Sequence, residues 1–305
     1  MSLIAGLGGG APTQVAPPRE NRSRAYRPLL APGLVYLVLF FVVPVGSLLA
    51  MSLYVKTPGG DLGDYSPAFR WQNYVDAVVN FYPQILRSFG FAAIATVACL
   101  AIGYPIAYAI AVRARNLPLV QNMLLILVVA PFFTSFILRT IAWKMILADE
   151  GWVVAALHWL QVLPEGGRLT ATPFAVICGL TYNFLPFMIL PIYAGLGRLD
   201  PRLLEAGADL YATPFTCFRK VTLPLSMPGV VGGTLLVSIP AAGDYVNAVL
   251  LGNNTNTAMI GQVIDQRFFR ILDYPTAASL SVILMVAILL LVSLYIRRAG
   301  TEDLL

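Results

Sequence analysis

Six stretches without a single charged residue, each long enough to cross a bilayer, constrain this chain more than any motif in it. They are Leu29–Val55, Ser88–Val112, Leu117–Leu138, Leu169–Gly197, Val221–Gly243 and Tyr274–Ile296. A helix needs about 20 apolar residues to span the hydrocarbon layer, and lipid forces every backbone polar group to pair inside the segment. Only 11% of the 305 residues are charged, against about 25% in a soluble domain. Mean hydropathy is +0.76, more apolar surface than one water-soluble core of this size could bury. The spacing therefore predicts an all-α membrane protein with six transmembrane helices. Pro44, Gly103, Pro105, Pro131, Pro186 and Pro240 fall inside windows, where they kink helices or let them approach closely. The first window is too long for the roughly 7–15-residue apolar core of a signal peptide, so it reads as a retained helix.

Lys and Arg orient the bundle. An even number of spans puts both termini on one side, with the links between spans two and three and between four and five. That side carries twelve of the 20 basic residues and six acids, among them Arg19, Arg22, Arg24, Arg113, Arg198 and Lys220. The other side balances eight bases against eight acids, leaving Asp244 at membrane level. Basic residues mark the cytoplasmic face, so both termini are expected in the cytoplasm. The net charge of +5 is a topology signal and gives no reason to expect nucleic acid. The chain divides into a disordered tail at 1–28, rich in Gly, Pro and Arg, a membrane domain at 29–297 and a short tail at 298–305. Outside the membrane, 57–84 and 252–273 read as irregular polar loops. Trp152–Leu163 reads as a surface-lying or re-entrant amphipathic run.

Several chemistries are unsupported. The one histidine, His158, has no ligand-like neighbours in sequence, and Cys99, Cys178 and Cys217 have no metal-site spacing. No metal site and no catalytic residue is expected. The three lysines, Lys56, Lys144 and Lys220, are never preceded by Gly and followed by Ser or Thr. There is no phosphate-cradling loop; if ATP drives this chain, the ATPase is another polypeptide.

The polar island between windows four and five, 200–224, is longer than a link between spans needs. Asp200-Pro201 and Thr213-Pro214 are both helix starts, an N-cap side chain followed by proline. Two short helices, roughly 201–211 and 214–220, are expected outside the membrane, with Pro224 opening the fifth span. Ala206, Gly207 and Ala208 offer a low surface to an approaching protein, Leu210 and Tyr211 apolar anchors, Glu205 and Asp209 charge. A helix laid into a partner's groove uses this mix; a helix resting on the inner leaflet would account for the leucines but not for the small residues.

The island resembles the signature of permease subunits of binding-protein-dependent ABC importers: Glu-Ala-Ala, three residues, Gly, nine residues, Ile, any, Leu-Pro. Here Glu205-Ala206-Gly207, Tyr211, Val221 and Leu223-Pro224 keep that spacing, with Gly207 for Ala, Val221 for Ile and Tyr211 for Gly. The resemblance implies the type I permease fold of these importers and a bacterial inner-membrane location. It also implies that the island is a coupling helix seated in a cleft of a cytoplasmic ATPase present in two copies, which carries the ATP and Mg. A second six-helix permease and an extracytoplasmic substrate-binding protein would complete the assembly. Pro131-Phe132-Phe133-Thr134-Ser135-Phe136 with Arg139-Thr140 and Trp143 is similar to spermidine/putrescine-type permeases. So are Phe184-Leu185-Pro186-Phe187 and Gly243-Asp244-Tyr245-Val246. A polyamine is the expected solute, with ferric iron, phosphonate or an opine-like compound as alternatives, and an ion-coupled secondary transporter as a more distant one.

Asp244 gives the polyamine reading chemical content. It lies about 27 Å along the fifth helix from Ser226 at 1.5 Å per residue. With Tyr245 and Asn247 it could receive an ammonium group arriving from outside. The other reading is an interfacial acid facing water or paired with Arg139 or Arg267. Tyr182, Asn183 and Thr134 could line the same path or simply hydrogen-bond between helices.

Overall fold

The structure, a computed structural model, describes residues 27–299 apart from 162, 163, 165, 166, 253 and 254. The tails expected at 1–28 and 298–305 lie outside the described residues, except where helix reaches 27 and 299. Among the described residues, five helical runs are long and apolar enough to cross a membrane: Leu30–Met51, Gln72–Arg113, Pro173–Gly197, Pro214–Ala242 and Tyr274–Arg297. The sixth is a bent pair, Pro118–Phe133 with Phe136–Ile146, turned through 97°. Six apolar windows thus become five continuous helices and one broken one.

The chain separates between Ser47 and Leu48 into two units. The first unit holds α1 (Arg27–Leu37), a π-helical turn at Val38–Val42 and the start of α2 (Val43–Met51). The Val43 N–H reaches back five residues to the Val38 carbonyl, just before Pro44. Proline has no N–H to give and its ring crowds the carbonyl four residues back, so a widened turn ahead of it keeps the helix running.

In the second unit, three helices carry the core: α3 (Gln72–Tyr108), α7 (Pro173–Gly197) and α10 (Leu223–Ala242). They meet through small residues. A Cβ on Gly103 would stand 3.2 Å from Met188, and one on Gly229 would stand 2.6 Å from the Pro191 carbonyl oxygen. Lipid tails are as apolar as leucine, so helices in a membrane associate by such close packing rather than by hydrophobic expulsion. Cys99, Leu180, Met188, Ile192 and Val237 fill the contact and are wholly buried. Tyr104 and Ser226 add one buried hydroxyl pair at 2.8 Å.

Helix ends follow the sequence signals. Thr172 accepts from the Ala175 N–H at 3.3 Å with Pro173 at the first helical position. Thr213 does the same for Thr216 ahead of Pro214, and Asp200 accepts from the Arg202 N–H at 3.0 Å ahead of Pro201. Each cap satisfies one of the donors a helix start leaves unpaired.

Four boundary expectations are corrected. The second span is not confined to Ser88–Val112: helix runs from Gln72 to Arg113, about 63 Å at 1.5 Å per residue. That is roughly twice the hydrocarbon thickness, so the end carrying Asp76 and Arg87 projects outside. The loop expected at 57–84 reduces to a two-residue hairpin, β1 (Val55–Lys56) on β2 (Tyr65–Ser66), followed by that extension. The loop expected at 252–273 contains α11 (Ile260–Asp265) and a π segment, Gln266–Ile271. In the island, only α8 (Pro201–Asp209) stands alone. The expected second helix, α9 (Pro214–Cys217), runs through a π turn at Phe218–Thr222 straight into α10. The Leu223 N–H bonds the Phe218 carbonyl, the same widened turn before a proline as in the first span. Pro224 therefore sits inside the fifth span and does not open it. The run expected from Trp152 to Leu163 is helical as α6 (Trp152–Trp159), with both tryptophans exposed.

The segments between the spans at this end of α3 are tied together by polar contacts. Arg87 donates to the carbonyls of Thr255 (2.7 Å) and Ala258 (3.0 Å), and Ser88 accepts from the Ile260 N–H at 2.7 Å. Tyr65 donates to the Leu272 carbonyl at 2.9 Å. Burial, with Asp273 adding to it, raises the Tyr65 phenol above its ordinary range, so it remains a donor at physiological pH.

Candidate functional site

Two regions hold the residues singled out by sequence. At the end of the bundle where α7 gives way to α10, α8 presents Glu205, Ala206, Asp209 and Leu210 to the exterior. Leu204 of α8 and Leu223 at the start of α10 pack against the core, while Pro224 is exposed. Ala208 lies within α8. Gly207 departs from the expected low surface: a Cβ there would stand 3.0 Å from Cys217 Sγ. Its smallness serves the packing of α8 on α9 within the chain, while Ala206 is small and exposed.

Tyr211 takes the conformation for which glycine is suited. Its φ is +56°, in the left-handed region, and the Ala212 N–H bonds the Gly207 carbonyl at 3.1 Å. A left-handed residue under a bond spanning six residues is the Schellman helix stop. The backbone therefore keeps the turn that the resembling signature assigns to glycine. The side chain is almost wholly exposed at 97%, so it meets no obstacle. A non-glycine residue in this region costs about 1–2 kcal/mol, and glycine's greater unfolded-state freedom returns about half of any relief. Tyr211→Gly is accordingly expected to stabilise the end of α8 by about 0.5–1 kcal/mol. Hydrogen exchange across 204–212 should slow about two- to fivefold; unchanged or faster exchange would refute the strain.

The second region is a buried polar cluster. α5 (Phe136–Ile146) follows the break in the third span. At that break Thr134 and Ser135 are extended, with ψ of 141° and 135°, and Pro131 lies just upstream. The core face of α5 carries Phe136, Thr140 and Trp143 at helical spacing. Phe136 tilts against Phe184 at 6.0 Å and Trp143 against Tyr182 at 5.4 Å. Between these aromatic contacts, Asn183 donates to Thr140 at 3.0 Å and to Asn247 Oδ1 at 3.2 Å. Thr140 also lies 3.5 Å from Asn247 Oδ1.

Asn247 reaches that position because the fifth span ends at Gly243 and the chain turns. Asp244 Oδ1 accepts from the Asn247 N–H at 2.8 Å, capping the short helical stretch that continues through Ala248–Gly252. Two glycines allow the turn to sit so deep. A Cβ on Gly261 would lie 2.5 Å from the Gly243 carbonyl oxygen. One on Gly179 would collide with Leu251 and stand 2.6 Å from Asn247 Oδ1. Asp244 is 8% exposed and Asn247, Asn183 and Thr140 at most 1%. Among the described residues Asp244 forms no ion pair; Arg267, one expected partner, pairs instead with Asp273 at 3.1 Å.

Three of the six expected path residues, Asp244, Asn247 and Asn183, therefore converge. Tyr182 and Tyr245 flank them, partly exposed. Thr134 is exposed at the break and makes no hydrogen bond to the cluster. Thr140 was not among the expected path residues. Its signal is a hydroxyl at an i, i+4 step from Phe136 on an otherwise apolar face.

The family described as the binding-protein-dependent transport system inner membrane component matches residues 103–299. The spermidine/putrescine transport system permease protein PotB of Salmonella typhimurium is 35% identical over 281 residues, 92% of this chain and 96% of that protein. PotB of Escherichia coli K12 is 36% identical over 265 residues, 87% of this chain and 94% of its own. A bacterial ABC transporter that imports the acidic polysaccharide alginate contains a chain of the same fold. The TM-score is 0.66 at 16% identity, over 91% of this chain and 96% of that one. By the extent of the match at both levels, this chain belongs to the binding-protein-dependent transport family as an inner-membrane permease component.

Proposed function

We propose that this chain is one permease subunit of an ATP-driven importer whose solute is a polyamine of the spermidine/putrescine class. The observation that carries the reading is the 35–36% identity, over nearly the whole of both proteins, to permeases named for that transport. A substrate-binding protein delivers the solute from outside; the alginate importer has been seen bound to its solute-loaded periplasmic protein. A second six-helix permease completes the path. Two copies of a separate cytoplasmic ATPase, which hold ATP and Mg, grip α8 with its exposed Glu205, Asp209, Leu210 and Tyr211. Hydrolysis-linked closure of the ATPases moves the coupling helices and reverses access. The arginine balance of the sequence supports cytoplasmic termini and places α8 on the ATPase side.

Within this scheme Asp244 meets an ammonium group of the solute, beside Tyr245 and Tyr182, with the amides of Asn183 and Asn247 fixing the wall behind it. A carboxylate kept from water and unpaired is suited to a cation that brings its own donors. The test is reconstitution of the complex with its binding protein and ATPase, followed by uptake of labelled spermidine and putrescine. Uptake of another solute class but of neither polyamine would overturn the solute. Asp244→Asn is expected to raise the concentration for half-maximal uptake about tenfold, about 1.4 kcal/mol, with assembly intact. Unchanged concentration dependence would remove Asp244 from the path.

A further inference from the structure

The third span breaks at a depth where lipid does not tolerate a break. Its first half, α4 (Pro118–Val129) with a 3-10 turn at Ala130–Phe133, ends at most about 25 Å from Pro118 at 1.5–2.0 Å per residue. That is inside the roughly 30 Å hydrocarbon layer. Thr134 and Ser135 are extended and exposed. The Thr134 N–H returns to the Pro131 carbonyl at 3.1 Å, and the Arg139 N–H reaches the Ser135 carbonyl at 3.1 Å. Between these bonds, no backbone N–H of the described residues serves the carbonyls of Phe132, Phe133 and Thr134.

Unpaired, non-helical backbone at this depth occurs only inside protein or along a water-filled cavity. A spanning helix of another subunit keeps its own N–H groups paired, so it has no backbone donors to spare for three acceptors. The carbonyls therefore face the path. They also form the C-terminal, partially negative end of a helix, which favours a cation that brings its own donors. The exposed Thr134 hydroxyl adds a further acceptor. Aromatic rings stand on both sides of the break: Phe132 meets Phe187 edge-on at 5.0 Å, and Phe136 tilts against Phe184 at 6.0 Å. The Phe136 ring already carries one cation, the Arg139 guanidinium, 5.7 Å from its centroid. The break is continuous with the buried polar cluster. Thr140 lies about 7.5 Å beyond Ser135 along α5. It donates to the Phe136 carbonyl at 3.0 Å and stands 3.5 Å from Asn247 Oδ1.

We propose that the carbonyls of Phe132, Phe133 and Thr134 form a second binding point for an ammonium group of the solute, on the same path as Asp244. This rests on the reading that the solute is a polyamine. Neutral dipoles hold a cation less tightly than a carboxylate does, so the solute can leave this point again. Two points of unequal strength also favour solutes that carry more than one ammonium group.

The experiment alters the backbone itself in the complete complex. Lactic acid in place of Ser135 turns the Thr134–Ser135 amide into an ester, and Ser135→Ala, the same side chain on an amide, is the reference. An ester carbonyl is the weaker acceptor, and the N–H that is lost makes no backbone hydrogen bond. Yield and thermal midpoint should therefore match the reference. The spermidine concentration for half-maximal uptake should rise about threefold. The same factor should appear in the Asp244→Asn background, because the two points hold different ammonium groups. Thr134→Val should raise the concentration about twofold without loss of assembly. Spermidine uptake with an unchanged half-saturating concentration in the ester would overturn this site and leave the solute assignment standing. Uptake confined to a solute without an ammonium group would overturn both.

Discussion

Replacing Gly229 by leucine should leave less than a tenth of the wild-type yield of assembled protein. A Cβ at this position would lie 2.6 Å from the Pro191 carbonyl oxygen and 3.1 Å from the Ile192 Cα. Both neighbours are backbone within α7, so neither can rotate aside. A Cβ on Gly195, on the facing helix, would likewise stand only 3.6 Å from the Gly229 Cα, so the two backbones approach closely along this seam. Overpacking a well-filled core costs about 1–3 kcal/mol. Here four branched atoms would have to force the helices apart, where packing supplies most of the association energy. Gly90→Leu is the control, since a Cβ on Gly90 meets nothing within 4 Å. Monodisperse protein recovered from membranes should match wild type for Gly90→Leu and be nearly lost for Gly229→Leu. Equal recovery of the two would mean that α7 and α10 are not held by this seam.

The same seam shows where sequence reading succeeds and stops. Uncharged windows find helices that lie in lipid because lipid excludes charge, and every window contains helix. They are blind to helix continuing into water. The outer end of α3 with Asp76 and Arg87, and the turns at 260–271, are stabilised by contacts such as Arg87 to the Thr255 carbonyl, which no local pattern encodes. Prolines mislead in both directions. Pro131 announces a disturbance in the third span, but the 97° bend comes from the two extended residues after it. Pro224 looks like a helix start, yet a π turn before it absorbs the missing N–H and the helix runs through. Capping signals at Asp200 and Thr213 are local and are read correctly. The polar cluster is the opposite case. Thr140 and Asn183, and Asn183 and Asn247, meet across separations of 43 and 64 residues, so their types were visible but not their convergence. Tyr211 lies between these extremes: its place in the spacing suggests a glycine-like turn, and its φ of +56° carries that turn on a residue that resists it.

Glu205→Lys should reduce polyamine uptake about a hundredfold while the permease still assembles. The substitution spares the fold because Glu205 is exposed on α8 and, among the described residues, forms no ion pair or side-chain hydrogen bond. Surface changes of this kind usually move stability by less than about 0.5 kcal/mol. Its cost falls on docking. α8 is bounded by the Asp200 cap at one end and the left-handed Tyr211 at the other, with Leu204 packed against the core and Cys217 against Gly207 beneath it. The exposed positions include Glu205 and Asp209, the small Ala206 and the apolar Leu203, Leu210 and Tyr211. A charged contact desolvated at an interface is worth about 2–5 kcal/mol when one partner is lost, and about 2.7 kcal/mol is a hundredfold. Reversing the charge adds repulsion to that loss. If, as proposed, the ATPase moves α8, hydrolysis stimulated by the solute-loaded binding protein should fall in parallel with uptake. Hydrolysis by the isolated ATPase should be unaffected. Wild-type uptake and stimulation in the Glu205→Lys complex would mean that α8 rests on the lipid headgroups and that the ATPase grips some other part of the chain.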